Sequence, residues 1–120
     1  MAKRVLIVDD AQFMRELLRD IFEQAGWHVV GEAENGKRAV EQFQLLKPDL
    51  VTMDIVMPLR SGIDALSDII AAKPDARVVM CSALGQESMM MEAVKAGAKD
   101  FIVKPFQPEQ VLRIAARAML

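Results

Sequence analysis

The sequence predicts a doubly wound α/β domain, a five-stranded parallel sheet with helices on both faces. Three observations carry this expectation. Five short apolar runs recur along the 120 residues, and each is followed by a stretch whose apolar residues repeat at helical spacing. Gly26, Pro48, Pro74 and Gly97 each follow one of the first four helical stretches, where such residues stop a helix. Strict strand–helix alternation predicts a parallel sheet, and right-handed crossovers leave few topologies for it.

Val5-Leu6-Ile7-Val8 is apolar without alternation and reads as a strand buried on both faces. Phe13, Leu17 and Ile21, flanked by Met14, Leu18 and Phe22, form an apolar stripe at helical spacing, and Gly26 ends it. His28 to Ala33 is a second strand, less apolar and therefore expected at an edge. Gly36 to Leu46 is a helix buried through Val40 and Phe43, and Leu50 to Met53 is the third strand. A helix over Ile63 to Ala72 presents Leu66, Ile69 and Ile70, and Val78 to Cys81 is the fourth strand. Glu87 to Ala96 is helical, Phe101 to Val103 is the fifth strand, and Pro108 opens a last helix with Val111, Leu112, Ala115 and Met119 on one face.

Length and composition bound the function classes. The chain fits a single domain over residues 1–120, with no linker, repeat or low-complexity segment and no output domain expected after the last helix. Apolar residues make up 52% and charged residues 27%, enough for a core that needs no staple. The net charge of −2, with cations spread along the chain, argues against a nucleic-acid surface. Cys81 stands alone, so an internal disulfide is impossible and a small core residue is the expected role. The basic start Met1-Ala2-Lys3-Arg4 precedes only four apolar residues, too few for a signal peptide, and no run approaches a membrane span. A cytoplasmic, monomeric protein with no membrane partner is expected.

In open α/β sheets the ligand site lies beyond the carboxyl ends of the strands. Asp9 and Asp10 follow the first strand, Asp54 the third, Ser82 and Ala83 the fourth, and Lys104 with Pro105 the fifth, whereas Glu34-Asn35-Gly36 after the second reads as a turn. Taken singly, each has an ordinary reading: the acids and Ser82 as helix caps or turn formers, Lys104 as a solvated loop residue. Together on one rim they are the groups phosphoryl transfer uses. Two carboxylates in contact repel by about 4 kcal/mol at an effective dielectric near 20, so three acids call for a cation. Carboxylate oxygens suit Mg²⁺, and phosphoryl transfer depends on charge neutralisation and positioning. A carboxylate also serves as nucleophile, and Asp54, alone on a central strand end and facing the acidic pair, is the choice for that role. His28 lies away from this rim and receives no role. Met89-Met90-Met91 offers a plastic surface, although part of any such run on a helix faces the core.

These residues resemble the receiver domains of two-component response regulators. The matching pieces are Val8-Asp9-Asp10, Asp54-Ile55-Val56-Met57-Pro58, Gly62, Ser82-Ala83 and Lys104-Pro105-Phe106, and the likeness runs from about Lys3 to the end. Within that family the chain is most similar to the stand-alone chemotaxis regulators of the CheY type, through Phe13-Met14-Arg15, Cys81 to Gln86 and Ala96 to Phe101. The resemblance implies a flavodoxin-like fold with strand order 2-1-3-4-5. It implies Asp54 as phosphoacceptor, Mg²⁺ held by Asp10 directly, by Asp9 through water, and by Asp54 and the backbone carbonyl of Val56. It further implies that Ser82 bonds a phosphoryl oxygen, that Ala83 keeps access open, that Lys104 pairs with the phosphoryl group, and that the Lys104–Pro105 bond is cis. Phe101 matches the switch aromatic, lacking the hydroxyl that many relatives carry there.

The function so implied is a phosphorylation switch rather than a turnover enzyme. It takes its phosphoryl group from a sensor histidine kinase or a small acyl phosphate and acts on the flagellar motor switch, with a phosphatase as a further partner. The alternative is the receiver domain of a longer transcription regulator, which gene length would distinguish. An aspartate-nucleophile phosphatase would show Asp-x-Asp at one strand end, and the acids here are adjacent. A flavodoxin-like FMN binder would want a hydroxyl- and Gly-rich loop where Asp9-Asp10-Ala11-Gln12 stands.

Overall fold

A computed structural model describes residues 2–120; Met1, where the basic start begins, lies outside the described residues. The elements run β1 (Arg4–Val8), α1 (Gln12–Gln24), β2 (His28–Ala33), α2 (Gly36–Leu46), β3 (Leu50–Asp54), α3 (Gly62–Ala72), β4 (Val78–Ser82), α4 (Glu87–Lys95), β5 (Asp100–Val103) and α5 (Pro108–Ala118). All pairs are parallel in the order β2-β1-β3-β4-β5, with β2 and β5 at the edges as expected. Among the described residues no helix is long and apolar enough to cross a membrane.

Side-chain alternation divides the core. Leu6, Val8, Val51, Met53, Val78 and Met80 point to the face covered by α2, α3 and α4. Val5, Ile7, Leu50, Val79, Cys81 and Ile102 point to the face covered by α1 and α5. β3 and β4 are buried along their whole length, which explains their continuous apolar runs. Thr52 interrupts the run in β3 as a fully buried hydroxyl with no hydrogen-bond partner among the described residues.

The helix ends follow local chemistry. Asn35 caps α2 by accepting from the Arg38 N–H at 2.8 Å, and Ser61 caps α3 by accepting from the Asp64 N–H at 3.1 Å. Lys47 leaves α2 in the left-handed conformation, φ 49°, just before Pro48.

Several boundaries and faces differ from expectation: β1, α3 and β5 each start one residue earlier, at Arg4, Gly62 and Asp100, and α4 ends one residue earlier, at Lys95. β3 and β4 each extend one residue further, so Asp54 and Ser82 are the last strand residues and not the first loop residues. Phe13 is 70% exposed, whereas Met14 beside it packs against the core, so the buried side of α1 runs through Met14, Leu18, Ile21 and Phe22. Ile114 and Ala118 join Val111 and Ala115 in the buried face of α5, while Leu112 and Met119 pack at its margin.

Candidate functional site

The carboxyl rim of β1, β3 and β5 brings the charged residues together. Carboxylate oxygens of Asp9, Asp10 and Asp54 all lie within 4.8 Å of one another. Lys104 reaches in from the end of β5, its Nζ 3.1 Å from Asp9 Oδ2 and 3.4 Å from Asp54 Oδ2. Asp9 and Asp54 are buried and Asp10 is exposed. The three acids therefore differ in kind. Asp9 is tied down, with Oδ1 accepting from the Ala11 N–H at 2.9 Å and Oδ2 from Lys104. Arg15 adds a further brace, donating to the Asp9 carbonyl at 2.8 Å while paired with Glu32.

The backbone around Asp54 is equally fixed. Gly62 opens α3 with its N–H donating to the Ile55 carbonyl at 2.8 Å, and a Cβ there would fall 1.9 Å from the Asp54 carbonyl oxygen. The match at Gly62 thus has a physical cause: α3 begins against the strand end that carries Asp54. Gly36 does the same for the other side of the β3–α3 loop, where a Cβ would meet the Arg60 carbonyl oxygen at 2.1 Å. That second contact is invisible in the sequence, where Gly36 reads only as a turn residue. The Lys104–Pro105 peptide bond is cis.

Electrostatics set the carboxyl of Asp54 apart. Burial, then the charge of Asp9, push its pKa up to about 6, against the opposing pull of Lys104. Lys104 is held above its ordinary value: burial pulls it down, but Asp54 and Asp9 together outweigh that. Three carboxylates against one ammonium leave a net −2, the charge a divalent cation cancels. The donor set is all hard oxygen, with one exposed carboxylate at the opening, and it fits a hard divalent ion. The Cys81 thiol, on the same strand as Ser82, is pushed up by burial and then by the Asp54 charge, which leaves it an unreactive core residue.

Ser82 is fully buried and does not join the charged group. Its hydroxyl donates to Met90 Sδ at 2.8 Å, on α4. Phe101 is partly buried against the cluster on the α2–α3–α4 face. Val56 and Leu84 stand exposed just beyond β3 and β4. Ala83 is exposed, its N–H donating to Gln86 Oε1 at 2.7 Å. Met89 and Met91 are exposed and Met90 packs inward, the division expected of that run. The pairing of Ser82 with Met90 escaped the sequence reading, because they lie eight positions apart across loop and helix. A cleft of about 470 Å³ lies at the other end of β3 and β4 between Phe43, Lys47, Pro48, Ala72 and Arg77, and holds none of the expected site residues.

Residues 5–116 match the family described as response regulator receiver domain. The chain is 61% identical over 112 residues to a chemotaxis protein CheY of Thermotoga maritima and 58% identical to one of Bacillus subtilis, with 93% of both chains covered in each case. Its fold superimposes with a TM-score of 0.93 on a chain of a CheX–CheY–BeF₃–Mg²⁺ complex from Borrelia burgdorferi, at 38% identity, covering 98% of this chain and 90% of that one.

Proposed function

This chain belongs to the response regulator receiver domain family, and from that premise we propose that it is a phosphorylation-activated chemotaxis regulator that accepts its phosphoryl group on Asp54. The observation that carries the reading is the convergence of Asp9, Asp10 and Asp54 with Lys104 at three strand ends. Asp9 has both oxygens engaged, Asp10 is exposed, and Asp54 is buried within reach of both and against Lys104. Asp10, Asp54, the Val56 carbonyl and, through water, Asp9 would hold Mg²⁺, which supplies charge neutralisation for the incoming phosphoryl oxygens. The Asp54 carboxylate attacks the phosphorus of a phosphohistidine or acyl phosphate, and the donor's leaving group departs. Lys104 pairs with the new negative charge. Ser82 turns to donate to a phosphoryl oxygen, and small Ala83 leaves the approach clear.

Residues 1–120 then act as one switch domain and not as a turnover enzyme. A sensor histidine kinase is the donor. The names of the relatives point to chemotaxis, so the flagellar motor switch is the output, and a phosphatase resets the signal. Phosphorylation shifts the population of a two-state surface between α4, β5 and α5, with Phe101 filling the space that Ser82 vacates.

Acetyl phosphate with Mg²⁺ is expected to give one alkali-labile phosphoryl adduct, absent from Asp54→Asn. An undiminished adduct in that variant would remove Asp54 from the mechanism. Phe101→Ala is expected to keep phosphoryl uptake but weaken binding of a motor-switch peptide to beryllofluoride-loaded protein. Equal peptide affinity with and without the mimic would refute the switch.

A further inference from the structure

Alternation along the strands puts Ser82 on the wrong side for its expected partner. Asp54 continues the parity of Leu50, and Asp9 that of Val5 and Ile7, all on the α1–α5 face. Ser82 continues the parity of Val78 and Met80, on the α4 face. Its backbone is fixed there, since β4 pairs on both sides and the Ser82 carbonyl accepts from the Lys104 N–H at 2.8 Å. Only the side chain can turn, and in this structure its hydroxyl is held by Met90 Sδ at 2.8 Å.

Met90 is well placed to hold it. It lies in the first turn of α4, partly buried against the same cluster that takes Phe101. A thioether is a weak acceptor. It satisfies a fully buried hydroxyl, yet it competes poorly with a charged phosphoryl oxygen, whose hydrogen bonds are about twice as strong as neutral ones. We infer that Met90 is a positioning residue: its sulfur tethers the Ser82 hydroxyl to α4 and sets how readily that hydroxyl turns toward a phosphoryl group on Asp54. This rests on the reading of Asp54 given above. Release of the tether also frees the start of α4 from β4, beside Phe101, so one exchange of hydrogen bonds reports the state of Asp54 to that helix.

Substitutions at Met90 separate a tether from mere packing because they act in opposite directions. Leucine conserves volume and keeps the fold, but it offers no acceptor, so the hydroxyl is orphaned in the unloaded state. Glutamine is of similar length and offers a stronger acceptor. Beryllofluoride is titrated at saturating Mg²⁺ into wild type, Met90→Leu and Met90→Gln, each with and without Ser82→Ala. Met90→Leu should bind about threefold to tenfold more tightly, the range of one modest hydrogen bond, and Met90→Gln more weakly by a similar factor. In the Ser82→Ala background both shifts should vanish. In ion-free protein, the order parameter of the Met90 methyl axis should fall on Ser82→Ala while that of buried Met80 holds. Unchanged affinity in Met90→Leu, or shifts that persist without the hydroxyl, would overturn the tether alone. Wild type that binds no beryllofluoride would overturn the reading of Asp54 and the tether with it.

Discussion

Replacing Asp54 by asparagine should make the ion-free protein more stable at neutral pH, even as it removes the proposed phosphoacceptor. The folded state raises the Asp54 pKa from 3.8 to about 6, so below pH 3.8 the carboxyl is neutral in both folded and unfolded chains and costs nothing. Between pH 3.8 and 6 the unfolded chain ionises while burial and Asp9 keep the folded carboxyl protonated, so stability falls across that window and levels off above pH 6. About two pK units at 1.36 kcal/mol each place the cost near 3 kcal/mol at pH 7.5, and near half of that at pH 5. Asparagine mimics the neutral form and should recover about 2–3 kcal/mol at pH 7.5. Urea unfolding of both proteins in EDTA, followed by far-UV circular dichroism from pH 4 to 7.5, reads this directly. The two curves should converge at pH 4, and Mg²⁺ should narrow the gap at pH 7.5 because it stabilises the intact acid cluster more than the variant. Equal stabilities at pH 7.5, or a gap that does not change with pH, would refute the electrostatic account.

Thr52→Val should raise stability by about 1 kcal/mol, because it replaces a fully buried hydroxyl with no partner among the described residues by a group of the same shape; the urea midpoint checks it. Val56→Asn and Leu84→Glu should each hydrolyse the aspartyl phosphate faster than wild type in a phosphate-release assay, because neither native side chain can orient a water by hydrogen bonds. Trp27 emission should respond weakly to Mg²⁺. Its ring packs on Phe22 and under Lys3 beside the start of β2, at the rim opposite the acids, so strong quenching on saturation would contradict that distance.

Most of the fold was legible because it rests on local patterns. β3 and β4 are buried on both faces and read as unbroken apolar runs, while β2, with His28 and Glu32 in it, read correctly as an edge. The charged site was legible for the same reason: once strands are placed, Asp9, Asp10, Asp54 and Lys104 fall at their carboxyl ends without any knowledge of long-range packing. What stayed hidden depends on distances between elements. Phe13 fits the helical stripe as well as Ile21 does, yet it is exposed while Met14 beside it packs against the core. Gly36 looks like any turn glycine until the Arg60 carbonyl is seen where its Cβ would be.

Ser82 shows where the two kinds of information meet. A list of strand ends treats it as one more member of the rim, beside Asp54 and Lys104. Counting residues along β4 says otherwise: two steps from Met80, it belongs to the α2–α3–α4 face, whereas Asp54 is two steps from Thr52 and four from Leu50, on the other face. The sheet therefore separates the charged group from the hydroxyl expected to sense it. That separation is what a switch requires. Were Ser82 already beside Asp54, phosphorylation would find its hydrogen-bond donor in place and nothing would need to move. Because the hydroxyl starts on the opposite face, bound to α4, a phosphoryl group can recruit it only by breaking a contact with the helix. In the proposed switch the bond gained is charge-assisted and the bond lost is to a thioether, so the exchange favours the loaded state and carries its signal to α4.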